Sequence, residues 1–341
     1  MKQAVAGNAS QSFAEALVIG LLGAITLFAH ASGMTLILFP ELAALSHDVI
    51  TRPRGRWASE PGQLILTPTL TAMLGLFLTR HLSYGALQMA LIVGLSLIVI
   101  RITRSTIAPA ISAGLLPMVL GERSWLYPVA IFLGIGILVV VLKLWQRFGP
   151  RDAHPGIRAA EHSRLVDALE AVPHSRLWAL GLMAFVLGLG ALAQASGLRF
   201  LVFPPLIVIA YELFGHPEVP GWMKRPALLP VVCLLTASVG LIAHQAIHAE
   251  VLAVMITMLG SVLILRAFRV HMPPALAVGL LPFVMDSPDG RFPISVLLGT
   301  GALTLYFFGY RRLLHAMEAS APKRASSKST TLSSSCSSPS L

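Results

Sequence analysis

The sequence predicts an all-α membrane protein: a polytopic bundle of transmembrane helices that contains one unit twice and carries short, proline-broken segments, which either cross or re-enter. Three observations lead there. Hydrophobic residues fill 55% of the 341 positions and charged residues only 12%, with a mean hydropathy of +0.77, whereas about a quarter of an ordinary soluble domain is charged. The apolar residues are gathered into runs near the ~20 residues a helix needs to cross ~30 Å of hydrocarbon, without the alternation of strands. Finally, a proline-bracketed nonapeptide is written almost identically twice, "PAISAGLLP" from Pro109 and "PALAVGLLP" from Pro274.

In chain order the apolar runs are 16–31, 63–80, 84–100, 125–145, 177–196, 227–245, 248–265 and 293–310. Lipid offers no partner for an open backbone, so each run reads as a helix. The first run, preceded by Lys2 and followed by "AHA" before Ser32, has the outline of a signal peptide. The echo of "AHASG" (29–33) in "AQASG" (193–197) argues against it, because the second copy is internal. Further pairs extend the duplication: Phe39-Pro40 with Phe203-Pro204, Thr71-Ala72 and Gly75 with Thr236-Ala237 and Gly240, and Tyr127-Pro128 with Phe292-Pro293. The chain therefore divides into a first repeat at 13–146, a linker at 147–175, a second repeat at 176–312 and a serine-rich tail at 320–341.

The net charge of +10 sits in short loops, the linker and the tail. The positive-inside rule accounts for it, and a nucleic-acid partner is not implied. Linker and tail are both basic and are placed in the cytoplasm; each repeat then crosses an even number of times, so the repeats are parallel about an axis along the membrane normal. In the linker, Leu165, Leu169 and Val172 share a helical face, which suits either a helix lying on the membrane or protein surface or a solvated one. The tail lacks the apolar content to fold. Cys233 and Cys336 make no disulfide framework.

Two further segments per repeat are poor spans. Residues 34–50 are interrupted by Pro40, with Glu41 following, and 198–214 by Pro204 and Pro205. The nonapeptide helices are too short to cross. Short or proline-broken segments at matching places in two repeats point to a transport site. Each nonapeptide starts at a proline, Pro109 in one copy and Pro273-Pro274 in the other, and is preceded by arginines, Arg101 and Arg104 or Arg266 and Arg269. Unpaired N–H groups at such a start, with arginine nearby, suit an anion. Thr106, Ser112 and His271 complete the candidate binding set, the arginines having topological anchoring as their alternative role. Glu41 is a helix-start cap or a proton-coupling carboxylate. His244, His248 and Glu250 lack a further ligand for a metal. No nucleophile triad, phosphate loop or carboxylate pair stands in a loop long enough for a soluble active site, so neither an enzyme nor a cofactor is expected.

The stretch "RVHMPPALAVGLL", with Phe39-Pro40-Glu41, "RPRG" at 52–55, the Thr-Ala-x-x-Gly helix and Tyr127-Pro128-Val129, resembles the HPP family of integral membrane proteins. The resemblance covers both repeats, as two HPP-like domains in tandem. Met272 separates His271 from the two prolines, and the first repeat has Thr106 in place of the histidine. The resemblance implies a transporter, with nitrite as the substrate linked to plastid members. The expected function is thus a transporter or channel for a small solute, a nitrite-like anion, in a bacterial inner membrane, either alone or as an oligomer. A non-transporting scaffold or regulatory subunit is the alternative.

Overall fold

The computed structural model describes residues 2–149, 164–168, 170, 177–217, 225 and 227–320, with no strand among them. The first half comprises α1 (Lys2–Ser32), α2 (Glu41–Thr51), the single turn α3 (Arg56–Ser59), α4 (Pro61–His81), α5 (Ala86–Ile102), α6 (Pro109–Leu120) and α7 (Leu126–Phe148). The second comprises α8 (Leu177–Ser196), α9 (Pro204–Gly215), α10 (Leu228–Ala246), α11 (Glu250–Phe268), α12 (Pro273–Leu280) and α13 (Arg291–Ser320). Seven helices, α1, α4, α7, α8, α10, α11 and α13, contain apolar stretches of 19–24 residues, long enough to cross a bilayer. The predicted run at 84–100 becomes α5, 17 residues long. Most of the linker, including Leu169 and Val172, and the tail from Ala321 lie outside the described residues.

The distribution of side chains is that of a protein dissolved in lipid. Leu27, Leu87, Val140, Leu180, Leu263 and Leu305 are exposed, while Thr71, Ser96, Ser112, Thr236, Ser261 and Thr300 are buried. Several of the hydroxyls turned inward are satisfied within their own helix: Thr300 donates to the Val296 carbonyl at 2.6 Å and Thr79 to Gly75 at 2.7 Å.

The proline-broken segments run on through the bundle and do not turn back as re-entrant loops. The side chain of Gln63, at the start of α4, donates to the Thr103 carbonyl at 2.8 Å. At the middle of α4 the Thr71 hydroxyl donates to the Ala110 carbonyl at 2.6 Å, and at its end Arg80 donates to the Arg123 carbonyl at 2.6 Å. Residues 103–123 therefore keep pace with α4, irregular over the first half of the depth and helical, as α6, over the second. Residues 33–51 do the same beside α7, running from a contact of the Ile37 carbonyl with Gly134 to the Ile50 carbonyl, which accepts from Trp145 Nε1 at 3.1 Å. Proline explains the division, since it cannot continue a ladder behind it yet suits a first helical turn.

All four half-helices, α2, α6, α9 and α12, thus begin near mid-depth. They are buried along their length. Within a half, α2 packs on α6 and α9 on α12; across the halves, α2 packs on α12 and α6 on α9, which closes a ring of four. Two outer seams, α1 on α11 and α5 on α8, brace it. Equivalent glycines set the approach in each half. A Cβ on Gly75 would stand 1.8 Å from the Gly114 carbonyl oxygen, and one on Gly240 2.0 Å from that of Gly279. Equivalent helix ends match as well: Arg104 and Arg269 both take the left-handed conformation, at φ 52° and 54°. There the Ser105 and Val270 amides reach back to the Ile100 and Leu265 carbonyls, each at 3.0 Å.

Gly75→Ala and Gly240→Ala are expected to lower stability by about 1–3 kcal/mol each, the usual range for overpacking. Gly136→Ala, which meets open space, should change nothing. Unfolding midpoints of the three variants in detergent check this.

Candidate functional site

One face of α2 carries Glu41, Asp48 and Arg52, spaced seven and four residues apart, so they form a polar stripe from mid-depth to the end of the bundle nearest the linker. At the deep end, Glu41 Oε1 accepts the hydroxyl of Ser112 on α6, while Oε2 has no partner among the described residues. Pro40, at the start of α2, offers no side-chain cap; the Glu41 carboxyl lies by its own backbone amide in the first turn and also ties two half-helices together inside the ring.

At the outer end of the stripe, Arg52 gathers three carboxylates. It donates to Asp48 at 2.8 Å, to Glu170 at 2.6 Å and to Asp167 of the linker. His271 Nε2 lies 3.7 Å from Asp48 Oδ1, and the His47 and His271 rings are 6.2 Å apart. The cluster thus joins the first half, the segment entering α12 and the linker. Burial first, and then the Asp48 carboxylate, push the Glu170 carboxyl up to about 9, against the pull of Arg52. Burial works against the Arg52 charge too, but Asp48, Glu170 and Asp167 outweigh it and raise its value.

The second half lacks this stripe. Where α2 has Glu41, Asp48 and Arg52, α9 has Pro205, Glu212 and His216. Buried Ser96 and Ser261, at equivalent places, face Gly114 and Gly279 of the nonapeptide helices with hydroxyls that have no partner among the described residues.

A second charged feature lies at the other end of the bundle. Of the described lysines and arginines, four lie at that end, Arg80, Arg123, Arg199 and Arg291, and the first three are close together. A depression of about 430 Å³, walled by Thr79, Ser83, Tyr84, Gly121, Arg123 and Arg199, opens where the halves meet. Arg199 is held there by the Met118 carbonyl at 3.1 Å and by the Tyr84 ring 4.7 Å away. At the positions that match Arg80, Arg123 and Arg199 in the other half stand Gln245, Pro288 and Thr35, and Asp286 takes the place of Gly121.

The predicted site residues fall into two groups. Pro109, Ser112, Pro273 and Pro274 are buried in the ring, as are Pro40, Glu41, Pro204 and Pro205. Arg101, Arg104, Arg266 and Arg269 are exposed at the linker end; Arg266 pairs with Glu15 of α1 at 2.6 Å. The irregular stretches before α6 and α12 place half the bundle depth between these arginines and the half-helix starts. Thr106 is half-buried, its carbonyl accepting from Trp57 Nε1 at 3.0 Å, and His271 joins the Asp48 cluster. His47, Asp48, Arg52 and Glu170 escape a reading for motifs, although two acidic residues at equivalent places in apolar surroundings, Asp48 and Glu212, are a usable signal. Comparison with family models, curated proteins and solved structures found no match.

Arg52→Met leaves the Asp48 carboxylate buried without its cation and is expected to cost about 3–5 kcal/mol of stability, read as a lowered unfolding midpoint. The Glu170 carboxyl sits above its ordinary 4.5, at about 9. Its stabilising contribution is therefore complete below pH 4.5 and lost as pH rises through about 9. Spin labels at positions 56 and 164 should separate over that alkaline range in the wild type, and far less in Glu170→Gln.

Proposed function

We propose that this protein is a membrane transporter for a small anion, with a path between the halves along the ring of half-helices. The ring carries the reading. Four helices that begin at mid-depth turn their positive dipole ends into the bundle, their first amides folded back onto the preceding turn, as Ala110 onto Ile107 and Ala275 onto Met272, and the converging dipoles favour an anion there. Membrane transporters use half-helices in this way, and the sole purpose of packing would be met more simply by unbroken helices.

The arginine depression favours an anion over a neutral solute. Positive charge is disfavoured at the end of a membrane protein away from the cytoplasm, and that is the end opposite the basic linker. Three arginines at one seam there, with no basic residue at the matching positions Gln245, Pro288 and Thr35, suit a mouth that concentrates anions. The depression is large enough for a compact oxyanion, and the HPP-like motif at 269–281 makes nitrite the first to try. The linker is assigned to the cytoplasm of a bacterial cell.

Flux of nitrite, nitrate and formate into proteoliposomes tests this. Uptake of at least one is expected, together with a KM raised about 10-fold in Arg123→Gln/Arg199→Gln at low salt, kcat nearly unchanged, and the difference shrinking as salt screens the charges. A well-folded protein that moves none of the three would be a scaffold or regulatory subunit.

A further inference from the structure

We propose that Glu41 binds the proton that accompanies the anion, making the protein a proton-coupled carrier with one coupling site per chain. This rests on the transport reading and names its coupling ion.

Glu41 is 1% exposed, at mid-depth, in the first turn of a half-helix. Its Oε1 is engaged by Ser112 and its Oε2 is buried without a partner among the described residues, so one oxygen remains open for a proton. The ionisable groups on the elements packed around α2 leave it without a cation. His47 and Asp48 lie further along α2 itself; α6 has none; His271 precedes α12 and faces Asp48. On α7, Lys143 and Arg147 sit near the linker end, and the Tyr127 hydroxyl is committed to the Ala113 carbonyl at 2.5 Å. On α1, Glu15 is paired with Arg266 near one end and His30 with Glu250 at the other, and Arg56 of α3 lies outside the ring.

An anion that enters the ring meets this carboxyl. Two like charges a few ångströms apart in a water-poor centre repel strongly. A proton taken from the water of one face onto Oε2 makes a neutral carboxylic acid, which removes the repulsion and supplies an O–H donor to the anion. Release of both to the other face restores the carboxylate. Proton and anion then move together, and the resting centre is closed to either alone. Pro205 and Ala277 occupy the places of Glu41 and Ser112 in the second half, so the coupling is one proton for each visit to a single site.

The test pairs anion uptake with a trapped pH dye in proteoliposomes carrying an inward nitrate gradient, and repeats it with nitrite against protein-free liposomes to subtract leakage of nitrous acid. The wild type should acidify the lumen in step with uptake. Glu41→Gln, checked for a single monodisperse peak, should retain anion exchange but carry no protons and lose pH dependence between pH 5.5 and 8.5; Glu41→Asp should keep proton movement. Proton flux persisting undiminished in Glu41→Gln overturns the assignment. Wild-type uptake without protons overturns the coupling and leaves the transport reading intact. Uptake of neither ion by the wild type overturns both.

Discussion

A bilayer core contains no water, so a helix that stops halfway must find protein partners for its freed backbone groups. This protein stops four helices halfway. The consequence is that α2, α6, α9 and α12 have one tolerable location, the centre, and each half supplies part of the cover the other needs. The outer seams of α1 on α11 and α5 on α8, the Gly75–Gly114 and Gly240–Gly279 approaches and the inward-facing hydroxyls all follow from the need to enclose that ring. In a water-soluble protein the same interruptions could simply face solvent.

The duplication makes the frame nearly symmetric, and the ionisable residues do not respect it. The polar stripe of α2 ends at Arg52 on the linker, where α9 has His216; the arginine depression belongs to one seam, while Gln245, Pro288 and Thr35 stand at the matching positions. Two halves of similar backbone thus carry different chemistry. A symmetric frame gives each half-helix a counterpart to pack on, and local substitutions give the centre one carboxyl at mid-depth among the described residues, that of Glu41. The linker is tied through Glu170 and Asp167 to the same arginine that binds Asp48, at the outer end of that stripe.

Much of this frame was legible in the sequence because hydrophobic length and internal repetition report directly on helices and their copies. The prolines at 40, 109, 204 and 273 marked the half-helices. Whether those segments return or continue was not legible, since it depends on the irregular stretches before them, whose course is set by contacts such as Gln63 with Thr103 and Ile37 with Gly134. The same stretches separate Arg101, Arg104, Arg266 and Arg269 from the helix starts they precede in sequence. Nearness along the chain suggested one anion site, and an extended backbone carried the two apart. Glu170 was hidden for the opposite reason: its contact with Arg52 joins residues 118 positions apart, and no local pattern announces it, whereas Asp48 and Arg52 are four residues apart.

The central claim is that the ring of half-helix starts is where solute crosses. Its most direct measurement is the accessibility of single cysteines at Ser112 and Ala277, placed in a protein lacking Cys233 and Cys336, to a small membrane-impermeant thiol reagent applied from each face in turn. If the ring is the path, both positions react with the aqueous reagent from at least one face, and a transported anion slows the reaction. Reaction only with a lipid-soluble reagent, unaffected by any anion, would contradict the account and leave the ring as packing alone.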